Sequence, residues 1–420
     1  MNKKDYVISQ LVEHFKGEGK LILLESQMLG HTASNLTYFA TQPNSWIKAK
    51  GEDVEIWDGT NTSFKRGDVW QEFKVFKQTS KGWLFGYLGY DLKNSIEELN
   101  SRNESLIDAP DLYFFEPRTL LEIDMEGNIR AIVGSIPLSL LVPVSKSFSI
   151  KPKKFIGKQD YLHKISRAQK EIEEGDYYEI NLSHPLEFEF EGNAWSLYEE
   201  MKRVGPVPFA GFMKLESLTV CSSSPERFLS RNGNKVCSQP IKGTIQRDSV
   251  NEQNAIDRLL NSEKERAENL MIVDLVRNDL NRIAKKGTVT VSNLFEIQTF
   301  QTVHQLVSTI DCEVEDSTNS IEIIKACFPM GSMTGAPKIA TMKAIERIED
   351  YQRGIYSGAM GYFKPNGDFD LNVVIRSALI QNGKLIYPVG GAITSDSIPE
   401  NEWEETFVKA KALTNTKGLK

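Results

Sequence analysis

The dipeptide Asn-Gly occurs three times in the second part of this 420-residue chain, at 232–233, 366–367 and 382–383, each time between runs rich in apolar residues. Both residues tolerate the positive φ that a tight hairpin turn demands, and the twist of such a turn suits antiparallel strands. A hairpin around Asn232-Gly233 is therefore expected. A three-stranded antiparallel meander is expected from Tyr356–Phe363, Phe369–Ile380 and Lys384–Val389. Leu186, Phe188 and Phe190 alternate with glutamates, as in a half-buried strand. Between these runs lie helical signals. Leu162, Ile165, Ala168 and Ile172 follow helical spacing after a possible cap at Asp160 and before Gly175. A helical block spans Asn251–Ala284, Pro337 opens a helix running to about Asp350, and a last helix covers about Glu400–Leu413. No βαβ regularity appears, which gives an α+β class with antiparallel sheets.

Single cores stop growing at roughly 250–300 residues, so two linked lobes or one unusually large core are expected. Residues 1–150 read as strands and loops. Leu21–Leu24 suits a buried strand, and Trp83–Tyr90, with Gly82, Gly86 and Gly89, suits a strand closely approached by another backbone. The basic, Ser-, Pro- and Gly-containing stretch Val142–Lys158 is the linker candidate. The division is then an N-terminal part, 1–150, and a catalytic part, 155–415.

The formal charge of −7 disfavours a broad nucleic-acid surface but allows a locally basic pocket for a small anion. Cys221, Cys237, Cys312 and Cys327 form no CxxC, and buried reduced thiols in a cytoplasmic protein are the expectation. Met1–Lys16 lacks the apolar core of a signal peptide, and no run approaches the ~20 apolar residues of a membrane span.

Several groups could carry chemistry. Glu265 and Glu268 are three apart, on one helix face, and Glu268 shares its stripe with Met271, Ile272 and Leu275. A carboxylate there must be paired, protonated or metal-bound. Glu402 and Glu405 form a second such pair, with Lys409 one turn on. Two helices offering carboxylates suit Mg²⁺, a hard ion with oxygen ligands. A capping box at Ser262–Glu265 and a solvated Glu405–Lys409 pair are the ordinary alternatives. Phe328–Lys338 is a glycine-containing turn feeding a helix N-terminus, without Walker A spacing. Lys242 precedes a glycine at a strand end; an exposed lysine is an ammonium, whereas burial near other cations frees the amine. Glu226 sits at a strand bend, where a general acid or an ordinary polar residue could stand.

Seven segments occur in order: Ser222-Ser-Ser-Pro-Glu-Arg227, Pro240-Ile-Lys-Gly-Thr244, Arg266-Ala-Glu-Asn-Leu-Met-Ile-Val-Asp-Leu-Val-Arg-Asn-Asp279, Gly331-Ser-Met-Thr-Gly-Ala-Pro-Lys338, Gly354-Ile-Tyr-Ser-Gly-Ala-Met-Gly-Tyr362, Val374-Ile-Arg-Ser-Ala378 and Glu402-x-x-Glu-x-x-x-Lys409. Together they resemble the chorismate-utilising enzymes, which include anthranilate, aminodeoxychorismate, isochorismate and salicylate synthases. The resemblance is strong over about 155–415 and continues more weakly through Gly86-Tyr-Leu-Gly-Tyr-Asp91. It implies two facing antiparallel sheets flanked by helices, with the N-terminal part in the same sandwich. It implies Mg²⁺ at Glu268 and Glu405, with Glu265 and Glu402 close by, anchoring the ring carboxylate of chorismate. Arg376, Tyr356 and the amides near Gly390 hold the enolpyruvyl carboxylate in this scheme. Gly243 and Thr244 line the ring, Lys409 faces a carboxylate, and Glu226 protonates the leaving C4 hydroxyl.

Lys242 separates the subfamilies. Anthranilate and isochorismate synthases usually carry alanine here, whereas a lysine resembles aminodeoxychorismate synthase component I, in which it attacks C2 before ammonia adds at C4. The resemblance thus implies 4-amino-4-deoxychorismate as product, folate-directed 4-aminobenzoate synthesis, and ammonia from a separate glutamine amidotransferase. Anthranilate synthase component I is the alternative. Three positions depart from the pattern: Glu179 replaces a common glutamine, Gln305 a histidine (with His304 adjacent), and Ala392 a glycine whose amide contacts substrate.

Overall fold

All three Asn-Gly sites join antiparallel strands, but only one is the two-residue turn that the dipeptide favours. Asn382 and Gly383 both take positive φ, 51° and 77°, between Ser377–Gln381 and Lys384–Ile393. At the first site Asn232 pairs with Lys235, so the turn is Gly233-Asn234. At the second, Phe363 pairs with Phe369 across a longer loop. The structure, a computed structural model, describes residues 2–28, 36–143, 147–247, 251–300 and 303–419.

Among these residues, backbone pairing links twenty-one strands into one continuous sheet. The sheet curls so that its parts face one another. Gly211, on strand Phe209–Leu215, lies so close under Met360, on strand Ala359–Phe363, that a Cβ would sit 2.4 Å from the methionine methyl. Ile22, Phe85, Tyr87, Met213, Val220, Met360 and Leu379 fill the space between the layers. Helices cover the outer faces, so the α+β class and the two facing antiparallel layers both hold. The layers are joined by shared strands rather than separate.

Strands from before residue 150 pair directly with strands from after it. Lys20–Glu25 pairs with Phe209–Leu215, and Leu84–Leu88 pairs with Ala359–Phe363. The Gly86 reading from sequence has a concrete reason: a Cβ there would meet the Tyr113 carbonyl at 1.9 Å. Part of the linker candidate is a strand. Phe148–Phe155 runs along Leu186–Gly192, while residues 144–146 of that candidate lie outside the described residues.

Two helix boundaries and one strand differ from expectation. Lys158–Glu173 starts at Gly157, so Asp160 lies inside the first turn rather than capping it. The block after Asn251 is two helices, Glu252–Leu260 and Glu263–Asn281, because Ser262 accepts from the Glu265 amide at 3.3 Å and begins a new one. Phe369–Ile380 is two strands, interrupted at Val374–Arg376, with Arg376 at φ 52°. A non-glycine residue at positive φ stores strain that its surroundings must hold. Here the interruption lets one strand pair with Arg227–Asn232 and the next with Leu218–Ser224.

Candidate active site

The interrupted meander, the strand Ile241–Gln246 and the helices Glu263–Asn281 and Pro399–Thr414 enclose a cavity of about 590 Å³. Glu226, Lys242, Gly243, Thr244, Gln305, Tyr356, Arg376, Gly390, Ala392 and Lys409 line it. So do Glu265, Glu268, Glu402 and Glu405. Residues spread over nearly two hundred positions therefore converge on one wall system.

Glu226 is buried where the chain bends between strands. Burial pushes its carboxyl up to about 7, against the pull of the Ser332 hydroxyl, Lys242 and Arg376. Ser332 donates to Glu226 Oε1 at 2.6 Å. A carboxylic acid with this titration point holds a proton to give at neutral pH.

Lys242 is also buried, and its Nζ lies 2.5 Å from Glu179 Oε1. Burial drives the ammonium down, but Glu179, then Glu268 and Glu226, outweigh it, and its pKa rises above the ordinary lysine value. The cationic surroundings that would free the amine are absent from its neighbours; three carboxylates face it instead. Glu179 does not line the cavity as a substrate-binding residue. It is fully buried, with its carboxylate against Lys242, on a strand that Gly335 approaches so closely that a Cβ there would sit 2.1 Å from the Glu179 carbonyl.

Arg376 projects from the strained interruption, and among the described residues no carboxylate pairs with its guanidinium. Tyr356 beside it is buried, which pushes its hydroxyl up to about 12. Lys409 bridges Glu405 at 2.6 Å and the Gly390 carbonyl at 2.8 Å. Ala392 lies in an extended strand opposite Asn181, which alanine adopts without strain. Gln305 donates to Thr244 Oγ1 at 3.2 Å. His304 cannot substitute for it: neighbours on a strand face opposite ways, and its ring meets Thr299 instead, at 2.9 Å.

The acidic side chains need charge compensation. Burial pushes Glu268 up to about 7 and also raises Glu265, and the Glu405 charge raises Glu265 further. Lys264 reaches Glu402 at 3.2 Å and Glu268 at 3.8 Å. Lys409, acting first, holds Glu405 below the ordinary carboxylate range. With the lysines so placed, no group of three potential ligands is gathered among the described residues. The donor set nevertheless fits a hard cation: it is all carboxylate, it is crowded, and Glu268 Oε1 is buried without a hydrogen-bond donor.

The profile described as "chorismate binding enzyme" matches residues 33–415. The chain belongs to that family. Aminodeoxychorismate synthase of Streptomyces griseus is 39% identical over 358 residues, covering 79% of this chain and 49% of that protein. The chain thus spans about half the length of that relative. Aminodeoxychorismate synthase component 1 of Klebsiella aerogenes is 30% identical, with 93% of this chain and 92% of that protein covered. The solved anthranilate synthase component I of Streptococcus pneumoniae superposes with a TM-score of 0.80 at 26% identity, covering 92% and 94% of the two chains. This is a chorismate-family enzyme with the family's fold.

Sequence reasoning passed over Ser332, Asn181 and Lys264, although all three line the cavity. Ser332 stood within a quoted motif, and Lys264 stands between two of the acidic residues. Asn181 carried no local signal at all.

Proposed function

We propose that this chain is the synthase component of an aminodeoxychorismate synthase, converting chorismate and ammonia into 4-amino-4-deoxychorismate. The observation that carries the reading is the pairing, in one cavity, of a protonatable buried acid, Glu226, with a buried lysine, Lys242. Family members that add nitrogen or water at C2 directly have no need of that lysine.

The Lys242 amine forms a bond to C2. The two ring double bonds shift one place each toward C4, the C4–O bond breaks, and Glu226 supplies the proton that lets the oxygen leave as water. Ammonia then adds at C4, the double bonds shift back, and the C2–N bond breaks, returning the amine to Lys242. Glu226 recovers a proton from the new C4 ammonium. One covalent intermediate thereby turns attack at C2 into amination at C4. Arg376, free of carboxylate partners, and Tyr356 suit the enolpyruvyl carboxylate.

Glu268 and Glu405, with Glu265 and Glu402, would hold Mg²⁺. When bound it supplies positive charge for the ring carboxylate of a dianionic substrate. The chain's own contribution there is to hold four carboxylates on two facing helices, with Lys264 and Lys409 as counter-ions. Ammonia is taken to come from a separate glutamine amidotransferase. The reducing cytoplasm suits four cysteines that are all free. No helix among the described residues is long and apolar enough to cross a membrane.

The test is product analysis of the pure chain with chorismate, Mg²⁺ and an ammonium salt, coupled to a lyase. 4-Aminobenzoate is expected. Anthranilate as the main product would instead make the chain an anthranilate synthase component I.

A further inference from the structure

Lys242 must lose a proton before it can attack, and the wall around it is acidic rather than basic. The three charged groups facing it come from three elements: Glu179 from strand Glu179–Gly192, Glu268 from helix Glu263–Asn281, and Glu226 from the bend before Arg227–Asn232. Among the described residues, only Glu179 lies within ion-pair distance, 2.5 Å from Nζ.

Two features set Glu179 apart from a simple counter-ion. It is 0% exposed, and its second oxygen, Oε2, is buried with no hydrogen-bond partner. A carboxylate meant to stay ionised in the interior is normally surrounded by donors. This one has a single donor, the lysine itself. Lys242 lines the cavity, so a substrate that fills it strips hydration from the pair and narrows the gap between the ionised pair and the neutral pair of acid and amine. One proton moving across a short hydrogen bond interconverts them.

We propose that Glu179 is the base that deprotonates Lys242, so that the pair rests as carboxylate and ammonium and reacts as carboxylic acid and amine. The inference rests on the covalent role of Lys242 proposed above. The Lys242 ammonium gives one proton to Glu179 Oε1. The freed lone pair forms the N–C2 bond, and the C4 oxygen leaves as water with the proton of Glu226. When ammonia expels the amine from C2, Glu179 returns its proton to Lys242. No further acid, base or oxidant is needed. Glu179 is catalytic in the strict sense because it touches the reacting nitrogen.

The experiment measures covalent adduct formation by intact-protein mass after rapid mixing with chorismate and Mg²⁺, without ammonia. Wild type should gain the mass of chorismate less one water. Glu179→Gln keeps the shape but cannot accept a proton, so the adduct should form about 10²–10⁴-fold more slowly at pH 7, the range for lost general-base catalysis. The deficit should narrow as pH rises, because bulk base then does what Glu179 did; the Glu226 requirement is common to both proteins and cancels in the ratio. Glu179→Asp, still a carboxylate, should retain more activity than the glutamine variant. If Glu179 merely restrains Lys242 as an ammonium, its removal frees amine, and Glu179→Gln will form adduct as fast as wild type or faster at pH 7. That result overturns the inference while leaving Lys242 in the mechanism. If wild type forms no adduct, the covalent role of Lys242 falls and this inference falls with it. Chorismate affinity measured calorimetrically on each variant, with unchanged circular dichroism, separates a lost base from a lost fold.

Discussion

Glu25 and Glu179 are both buried against a lysine, in two regions that surround the same pair of residue types differently. Near the N-terminus, Glu25 contacts Lys202 and lies 3.8 Å from Lys4, and its other oxygen accepts from the Tyr198 hydroxyl at 2.7 Å and Gln27 at 3.2 Å. Burial alone would raise its carboxyl, but Lys202 and Lys4 outweigh that and hold it below the ordinary range. Glu179 has one lysine and an orphaned oxygen. The two carboxylates differ in the number of donors around them, not in burial. Glu25 ties helix Lys3–His14 and helix Ala194–Val204 to the strand Lys20–Glu25, and a static charge does that well. Glu179 sits beside Lys242, the proposed nucleophile, where the proposed chemistry needs a group that can take a proton.

The comparison breaks most sharply at Lys242. Lys242→Ala should form no adduct and lose amination at C4 by about a thousandfold, as several kcal/mol of lost covalent assistance at ~1.4 kcal/mol per tenfold implies. Chromatography after coupling to a lyase reads both rate and regiochemistry. An unchanged rate with an unchanged para product removes Lys242 from the mechanism. Glu268→Gln or Glu405→Gln should abolish turnover at any practical Mg²⁺ concentration while thermal unfolding stays cooperative. Full wild-type activity in EDTA would make those carboxylates structural.

On the other side of the comparison, Glu25→Gln leaves the buried Lys4 and the half-buried Lys202, which keeps Asp5, facing a neutral amide. Breaking a buried pair costs about 3–5 kcal/mol, so urea unfolding should shift by that order while kcat per folded molecule stays within twofold. The pH dependence of wild type gives the sign. Because the folded Glu25 titrates below its unfolded value, its contribution is fully present above the ordinary glutamate pKa, and it vanishes as pH falls through the depressed folded value. Glu25→Gln should therefore flatten the acid limb of stability against pH. A Glu25→Gln protein as stable as wild type would show the cluster to be ornamental.

The smallest expected effect is at Ser332. Glu226 must be protonated to act, so turnover should fall as pH rises through about 7. The Ser332 hydroxyl favours the ionised form, so Ser332→Ala should move that limb upward by a fraction of a pH unit. A limb that moves downward would mean that Ser332 accepts from a protonated Glu226.

What the sequence determined by itself was local and chemical. Asn-Gly turns and alternating Phe188 and Phe190 specify antiparallel strands because turn geometry and side-chain alternation are properties of a few adjacent residues. The carboxylate pairs at 265/268 and 402/405 were legible for the same reason: three-residue spacing fixes a shared helix face. Glu226 and Lys242 were found through ordered motifs, which fix residue identity but not surroundings. Only the tertiary structure decided those surroundings. Glu179 meets Lys242 across 63 residues, and Ser332 meets Glu226 across 106. The first contact lies beside the pairing of Glu179 with Gly335-Ala336, and the second joins the turn Gly331–Met333 to the bend between two strands. Arg376 reaches the cavity through a strained break that a continuous apolar run concealed, because the break comes from two partner strands competing for one segment. The charge state of a buried group depends on every donor that surrounds it, and those donors come from distant parts of the chain. The sequence marks Lys242 by its motif, but only the fold sets the buried Glu179 carboxylate 2.5 Å from its nitrogen.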